Sequence, residues 1–143
     1  MNIPDDQREF LESHRLCVFG FNRRNGPPSL SPVYYFMDGA EIVISTMDSR
    51  VKAKAVRRNP EVSVCVLDEK MPFAYLTVYG HARVEEEGAV DVMMGVGEAM
   101  TGNPVSEAAR PSLEKRAKDE GRVVIRVKPA QVVATRPLRR SRG

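Results

Sequence analysis

The chain has 143 residues, 42% of them hydrophobic and 29% charged, which is enough for one domain with a substantial core and too little for two. Its net charge of +3 comes from 22 Lys and Arg against 19 Asp and Glu, but Arg136, Arg139, Arg140 and Arg142 fall in the last eight residues, and without those four the body carries −1. A general affinity for polyanions is therefore weakly supported, and apolar runs such as Ile42–Ile44 and Val123–Ile125 fall far short of the roughly 18 residues a membrane span needs.

The opening MNIPDDQREF is acidic and polar where an export signal would be basic and then apolar, so the chain reads as cytoplasmic. Residues 5–14 predict a short amphipathic helix after Pro4, with Asp5, Asp6 and Glu9 in the first turn and Phe10 and Leu11 turned inward. Strand signals follow at Leu16–Asn22 and Leu30–Met37, separated by a turn over Arg23–Gly26 and Pro27-Pro28. Asp38-Gly39 predicts a tight hairpin into a third strand, Glu41–Thr46.

MDSRVKAKAVRRNP then reads as a short helix that Asp48 or Ser49 caps and Asn59-Pro60 ends. Val62–Leu67 and Ala74–Glu87 are two further strands, the acids Glu85–Glu87 forming a solvated strand end. From 89 to 119, Val90, Val92, Met93, Met94 and Leu113 among Ala, Gly and acids predict one or two helices broken at Gly102–Pro104. Strands resume at Arg122–Val127 and, after Pro129, at Gln131–Thr135. The pattern is mainly β with peripheral helices: a six- to seven-stranded antiparallel barrel, or two sheets packed as a sandwich, over residues 1–135, followed by a basic tail at 136–143.

Cys17 and Cys65 lie in apolar runs with no CxxC or Cys/His spacing and read as core residues, and nothing marks His14 or His81 as a metal ligand. There is no Trp, no GxGxxG and no GxxxxGK[ST] loop, so a nucleotide-like cofactor has to be held by another device. The stretch Arg50–Arg58 offers one. Arg50, Lys52, Lys54, Arg57 and Arg58 occur there with no acid between them, and the first of them sit where the helix dipole is already positive. A strand ending in Ser45-Thr46 that runs into such a helix is a phosphate cradle: Arg50 as a bidentate donor, Lys52 as a point charge, and a hydroxyl of Thr46 or Ser49 completing the shell. A basic helix face in water is the plain alternative.

The succession Pro28-Ser29-Leu30-Ser31-Pro32-Val33, Ile42–Thr46, Arg50-x-Lys52, Arg57-Arg58-Asn59-Pro60-x-Val62-Ser63 and Tyr79-Gly80-x-Ala82-x-Val84 resembles the flavin-binding split β-barrels. That superfamily includes the pyridoxamine 5'-phosphate oxidases, and the likeness is closest to its flavin/deazaflavin oxidoreductases, the F420-dependent branch. It extends over about residues 6–87 and the strand Val123–Val127. The resemblance implies a homodimer with a cofactor site in each groove between subunits. Arg50 and Lys52 would hold the cofactor phosphate, while Ser31, Pro32 and Val33 on one strand and Ser45 and Thr46 on the next would line the ring. Tyr79 and His81 match the family's groove only loosely. Pyridoxamine phosphate oxidases proper carry a Trp and an Arg/His pair near the C-terminus; this chain ends in RPLRRSRG, so that oxidase activity is not implied.

The functional expectation is an oxidoreductase using F420, or FMN, to transfer a hydride to an unsaturated small molecule, with a proton from solvent or from Tyr34, Tyr35 or Tyr79. The long anionic tail of F420 would use the further charge of Lys54, Arg57 or Arg58, which FMN would leave idle. Two other classes stand beside it: a cofactor carrier of the same fold without turnover, and a nucleic-acid-binding barrel. The last is disfavoured by the body charge and by Tyr34, Tyr35 and Phe36, which as consecutive strand residues alternate between faces.

Overall fold

The computed structural model describes residues 2–135 and Leu138; of the basic tail, the arginines lie outside the described residues. Its strands are β1 (Leu16–Phe21), β2 (Ser29–Tyr34), β3 (Phe36–Asp38), β4 (Glu41–Met47), β5 (Glu61–Asp68), β6 (Ala74–Glu85) and β7 (Arg122–Ala134). The helices are α1 (Asp5–Ser13), α2 (Val51–Arg58), α3 (Ala89–Thr101) and α4 (Arg110–Glu120). All seven strands belong to one antiparallel sheet in the order β2-β1-β5-β6-β7-β4-β3. The fold is thus mainly β with peripheral helices, as expected. The sandwich alternative fails, because β2 and β3 are opposite edges of one sheet yet only Tyr35 separates them in the chain. A sheet joined edge to edge through one residue has to curl, and it forms a half-closed barrel.

Tyr35 is where the predicted strand Leu30–Met37 breaks. Its side chain is fully buried, its hydroxyl donates to the Leu11 carbonyl at 2.6 Å and its backbone N–H donates to the Arg15 carbonyl at 2.9 Å. The corner is thereby tied to the end of α1. Burial raises the Tyr35 pKa well above the usual phenol range, so the group stays a donor and is no proton source. Tyr35→Phe would leave the buried Leu11 carbonyl without its donor, and we expect a loss of about 1–2 kcal/mol of stability in urea unfolding.

Alternation along the strands places Phe19, Ile44, Val64, Leu76, Val78 and Ile125 in the barrel interior, with Leu11 and Val56 from the helices closing it and Leu138 also buried there. On the outer side of β4 and β7, Val43 and Val124 pack beneath Val92 of α3. Burial on both faces is why Ile42–Ile44 reads as an unbroken apolar run.

Pro129 does not divide two strands, as its residue type suggested; β7 runs through it. The pairing slips between Tyr79 and Gly80, so that Tyr79 faces Gln131 and Gly80 faces Pro129, with Ala130 left over as a bulge. A bulge tolerates a residue lacking an N–H.

Glu85 is not merely a solvated strand end. Arg126 donates to Glu85 at 2.6 Å and to Asp38 at 2.8 Å, and Arg83 forks onto Glu41 at 2.6 and 3.0 Å, so ion pairs tie β3, β4, β6 and β7 together. The Arg83 hydrogen bond lowers the Glu41 pKa below its usual 4.5. A depressed carboxyl pKa stabilises the fold above the unfolded value and is lost as pH falls below it. Glu41→Gln should therefore flatten the decline in stability below about pH 4.5, measured as unfolding midpoint against pH. Among the described residues no helix is long and apolar enough to cross a membrane.

Candidate functional site

The site is built at the junction of β4 and α2. After Met47 the chain turns, with the Asp48 N–H donating to the Gly121 carbonyl at 2.7 Å and the Arg50 N–H to the Met47 carbonyl at 3.0 Å. Arg50 is then the extended residue that opens α2. The expected cap is absent: neither Asp48 nor Ser49 caps the helix, and its first turn holds no acid. Asp48 is instead taken by Arg57, at 2.5 Å, with Glu86 a further 3.8 Å partner of the same guanidinium. Arg58 donates to the Asn22 carbonyl at 3.1 Å. The basic run is thus partly neutralised at its C-terminal end, while among the described residues Arg50, Lys52 and Lys54 form no ion pair. The amides of the first turn, with no side-chain acceptor, face the same region.

Lys52 is half-buried. Burial lowers the pKa of its ammonium, the Arg50 charge lowers it further, and the nearby Cys17 sulfur acts the other way. Cys17 is buried on β1 opposite Val33 of β2, so Lys52 reaches toward the β1–β2 end of the barrel. Desolvation, reinforced by the Cys65 sulfur, pushes the Cys17 thiol up to about 12, which leaves it a core residue without nucleophilic character.

Ser31 and Ser45 carry two of the three buried side-chain oxygens that have no hydrogen-bond partner among the described residues, the third being on Gln7 of α1. Ser31 is on β2, on the inward face beside Phe19, and Ser45 is on β4, on the face it shares with Val43 beneath α3. Buried hydroxyls without partners are uncommon, and a bound polar group satisfies them. As an edge strand β2 also leaves one line of backbone groups without a sheet partner. Thr46 is buried opposite Val123 and Val33 packs against the core, so their side chains serve the barrel; Pro32 is exposed. These residues, their charge and their unmet hydrogen bonds fit a phosphorylated, polar-edged ring. The capping reading of Asp48 missed that its carboxylate is held by Arg57 and leaves the start of α2 without a side-chain cap.

His14 lies 3.3 Å from Asp68 and 2.7 Å from the Phe10 carbonyl, and among the described residues no group of three or more His, Cys, Asp or Glu is arranged to hold a metal. Met93 is buried in α3 whereas Met100 is exposed. Tyr79 and His81 line a cleft of about 650 Å³ on the outer face of the sheet with Gly20, Leu30, Ser63 and Gln131; Arg50, Lys52, Ser31 and Ser45 are not among its lining.

A half-closed antiparallel barrel of this kind is the architecture of the flavin-binding split β-barrel superfamily. Within it, the profile of the pyridoxamine 5'-phosphate oxidase family matches residues 3–136, and the chain belongs to that family. No curated protein matches the sequence. Solved structures share the fold. A conserved hypothetical protein of Mycobacterium tuberculosis is 23% identical with a TM-score of 0.81, the match covering 94% of this chain and 85% of that one. An F420 reductase is 21% identical with a TM-score of 0.73, covering 92% and 98%. An FAD-binding protein of Mycobacterium smegmatis is 15% identical with a TM-score of 0.62, covering 93% and 96%.

Proposed function

We propose that this protein is an oxidoreductase that binds F420, or FMN in its place, in a groove between two copies of the chain and transfers a hydride to an unsaturated small molecule. The observation that carries the reading is the start of α2: Arg50 and the half-buried Lys52 without acid partners among the described residues, beside free first-turn amides. Arg50 would hold the phosphate through paired N–H donors and Lys52 as a point charge, and the hydroxyls of Ser31 and Ser45 would meet polar ring edges. Likeness to an F420 reductase supports the deazaflavin. So does the distribution of charge, because Lys54 and Arg58 have no acid partner among the described residues and suit an anionic tail beyond the phosphate, whereas Arg57 is already engaged.

When bound, the cofactor would supply the ring atom that carries the hydride, a carbon in a deazaflavin and a nitrogen in a flavin. The chain's part is to fix phosphate and ring, exclude water and deliver a proton from solvent or from Tyr34 or Tyr79, both exposed. The second copy would cover the outward residues of β1, β2 and β5 at the end of the sheet that holds Leu16, Tyr34 and Leu67, near Phe73 and Val133, all exposed in the single chain. Two free cysteines and no disulfide partner suit the reducing cytoplasm.

Titration of the purified protein with F420, FMN and a single-stranded oligonucleotide separates the classes. Saturable binding of F420 or FMN, with oligonucleotide binding weak, is expected. Tight, salt-dependent oligonucleotide binding with no response to either cofactor would overturn the reading. Bound cofactor that reduces no acceptor would make the protein a carrier.

A further inference from the structure

Asp48 is the acid nearest in sequence to the start of α2, and the fold leaves it few places to go. Its N–H donates to the Gly121 carbonyl at 2.7 Å, and its Cβ lies 4.0 Å from where a Cβ on Gly121 would stand, so the base of the side chain is fixed. Only the rotamer is left to choose, and the carboxylate sits 2.5 Å from Nη1 of Arg57. Arg57 is in the last turn of α2, about 9 Å along the axis from Val51, and helical side chains lean back toward the N-terminus. The pair therefore runs beside the helix, and the amides of Val51, Lys52 and Ala53 find no side-chain acceptor. Glu86, at 3.8 Å, is a second acid on the same guanidinium, so the charge of Arg57 is already balanced without a ligand.

We propose that Arg57 is a positioning residue: by holding the Asp48 carboxylate it keeps the first turn of α2 open for a ligand's phosphate. The inference rests on the phosphate reading of Arg50 and Lys52 and adds to it a side chain that touches no part of the ligand. Asp48 and Arg57 are both exposed, and an exposed ion pair contributes little to stability, so the fold does not depend on it. Its consequence is local. Once Arg57 is removed, the freed carboxylate has the first-turn amides, the positive end of the dipole and Arg50, two residues on, as its partners. There it occupies the donors a phosphate would use and repels the phosphate as well.

Losing any cation weakens anion binding to some degree, so the test turns on Asp48. If the two residues acted only through their field, their effects would add, and Asp48→Asn would tighten binding by the same factor with or without Arg57. A held carboxylate gives another pattern. In fluorescence titrations with FMN and with F420, Arg57→Ala should weaken binding about five- to tenfold while circular dichroism is unchanged. Adding Asp48→Asn should restore affinity to within about twofold, whereas Asp48→Asn in the parent protein should change it by less than about twofold. Arg57→Lys, which keeps a cation beside the helix, should retain most of the affinity. In the protein without ligand, the amide resonances of Val51, Lys52 and Ala53 should move in Arg57→Ala and return when Asp48→Asn is added, a readout that needs no cofactor. Unmoved resonances, equal effects of Asp48→Asn in the two backgrounds, or full affinity in Arg57→Ala where Arg50→Ala has lost it would each overturn the proposal. Full affinity in Arg50→Ala, Lys52→Ala and Arg57→Ala alike, with the resonances moving as expected, would overturn the phosphate reading and with it the purpose assigned to the hold on Asp48.

Discussion

Arg50→Ala and Lys52→Ala each weaken cofactor binding by about 1.5–3 kcal/mol, the scale of a charge-assisted hydrogen bond, when the protein is titrated with F420 or FMN by fluorescence or calorimetry. The two losses need not add, since both groups share one phosphate. Lys54→Ala, an exposed cation one turn further on, costs less, and its effect is confined to F420 with its longer anionic tail. The same variants have an opposite effect on the free protein. Lys52 is desolvated beside a like charge, with no carboxylate partner among the described residues, so Lys52→Met should leave thermal stability without cofactor unchanged or raised. A merely structural lysine would lose stability and binding together. Unchanged affinity in both Arg50→Ala and Lys52→Ala would place the phosphate elsewhere.

The second large effect is on the fold. Gly80→Ala lowers unfolding free energy by about 3 kcal/mol, the upper end for overpacking, as read from the urea midpoint. A Cβ on Gly80 would stand 2.5 Å from the Lys128 carbonyl oxygen and 3.1 Å from a Val127 methyl. The first obstruction is backbone, fixed by the longest strand pairing in the sheet, and cannot swing aside as the end of Leu30 can at Gly20. Gly39→Ala is the contrast: nothing lies within 4 Å of its would-be Cβ, and its cost comes only from φ +60°, about 1–2 kcal/mol. Equal midpoints for Gly80→Ala and the parent protein would remove the bulge as the reason for that glycine.

Much of this architecture was legible because its signals are local. The acids and apolar pair of α1, the alternation of β5 and β6, the break after Thr101 and the stop at Asn59-Pro60 depend on neighbours a few residues apart. What depends on register was not legible. Tyr35 continues an apolar run, and only its deep burial and its bond to Leu11 make it the corner joining the sheet's edges. Pro129 carries a strong local stop signal that the bulge at Tyr79/Gly80 overrides.

The site divides in the same way. The concentration of Arg50 and Lys52 after Ser45-Thr46 is a sequence feature, and the structure adds the half-burial of Lys52 and the unmet hydroxyls of Ser31 and Ser45. The capture of Asp48 by Arg57 could not be read from spacing, because Asp48 in that position is an equally good helix cap. The cleft that Gly20 and Ser63 line exists only once β1 and β5 are paired.

The central claim is that the start of α2 is a phosphate cradle, and matched ligands differing at the phosphate test it most directly. Titrating the protein with FMN against riboflavin, and with the tail-free 5'-phosphate of the F420 deazaflavin against the same ribityl deazaflavin without phosphate, compares the same rings with and without that group. At least about tenfold tighter binding of the phosphorylated member of whichever pair binds is the predicted result. Equal affinity for the two members of that pair would contradict it.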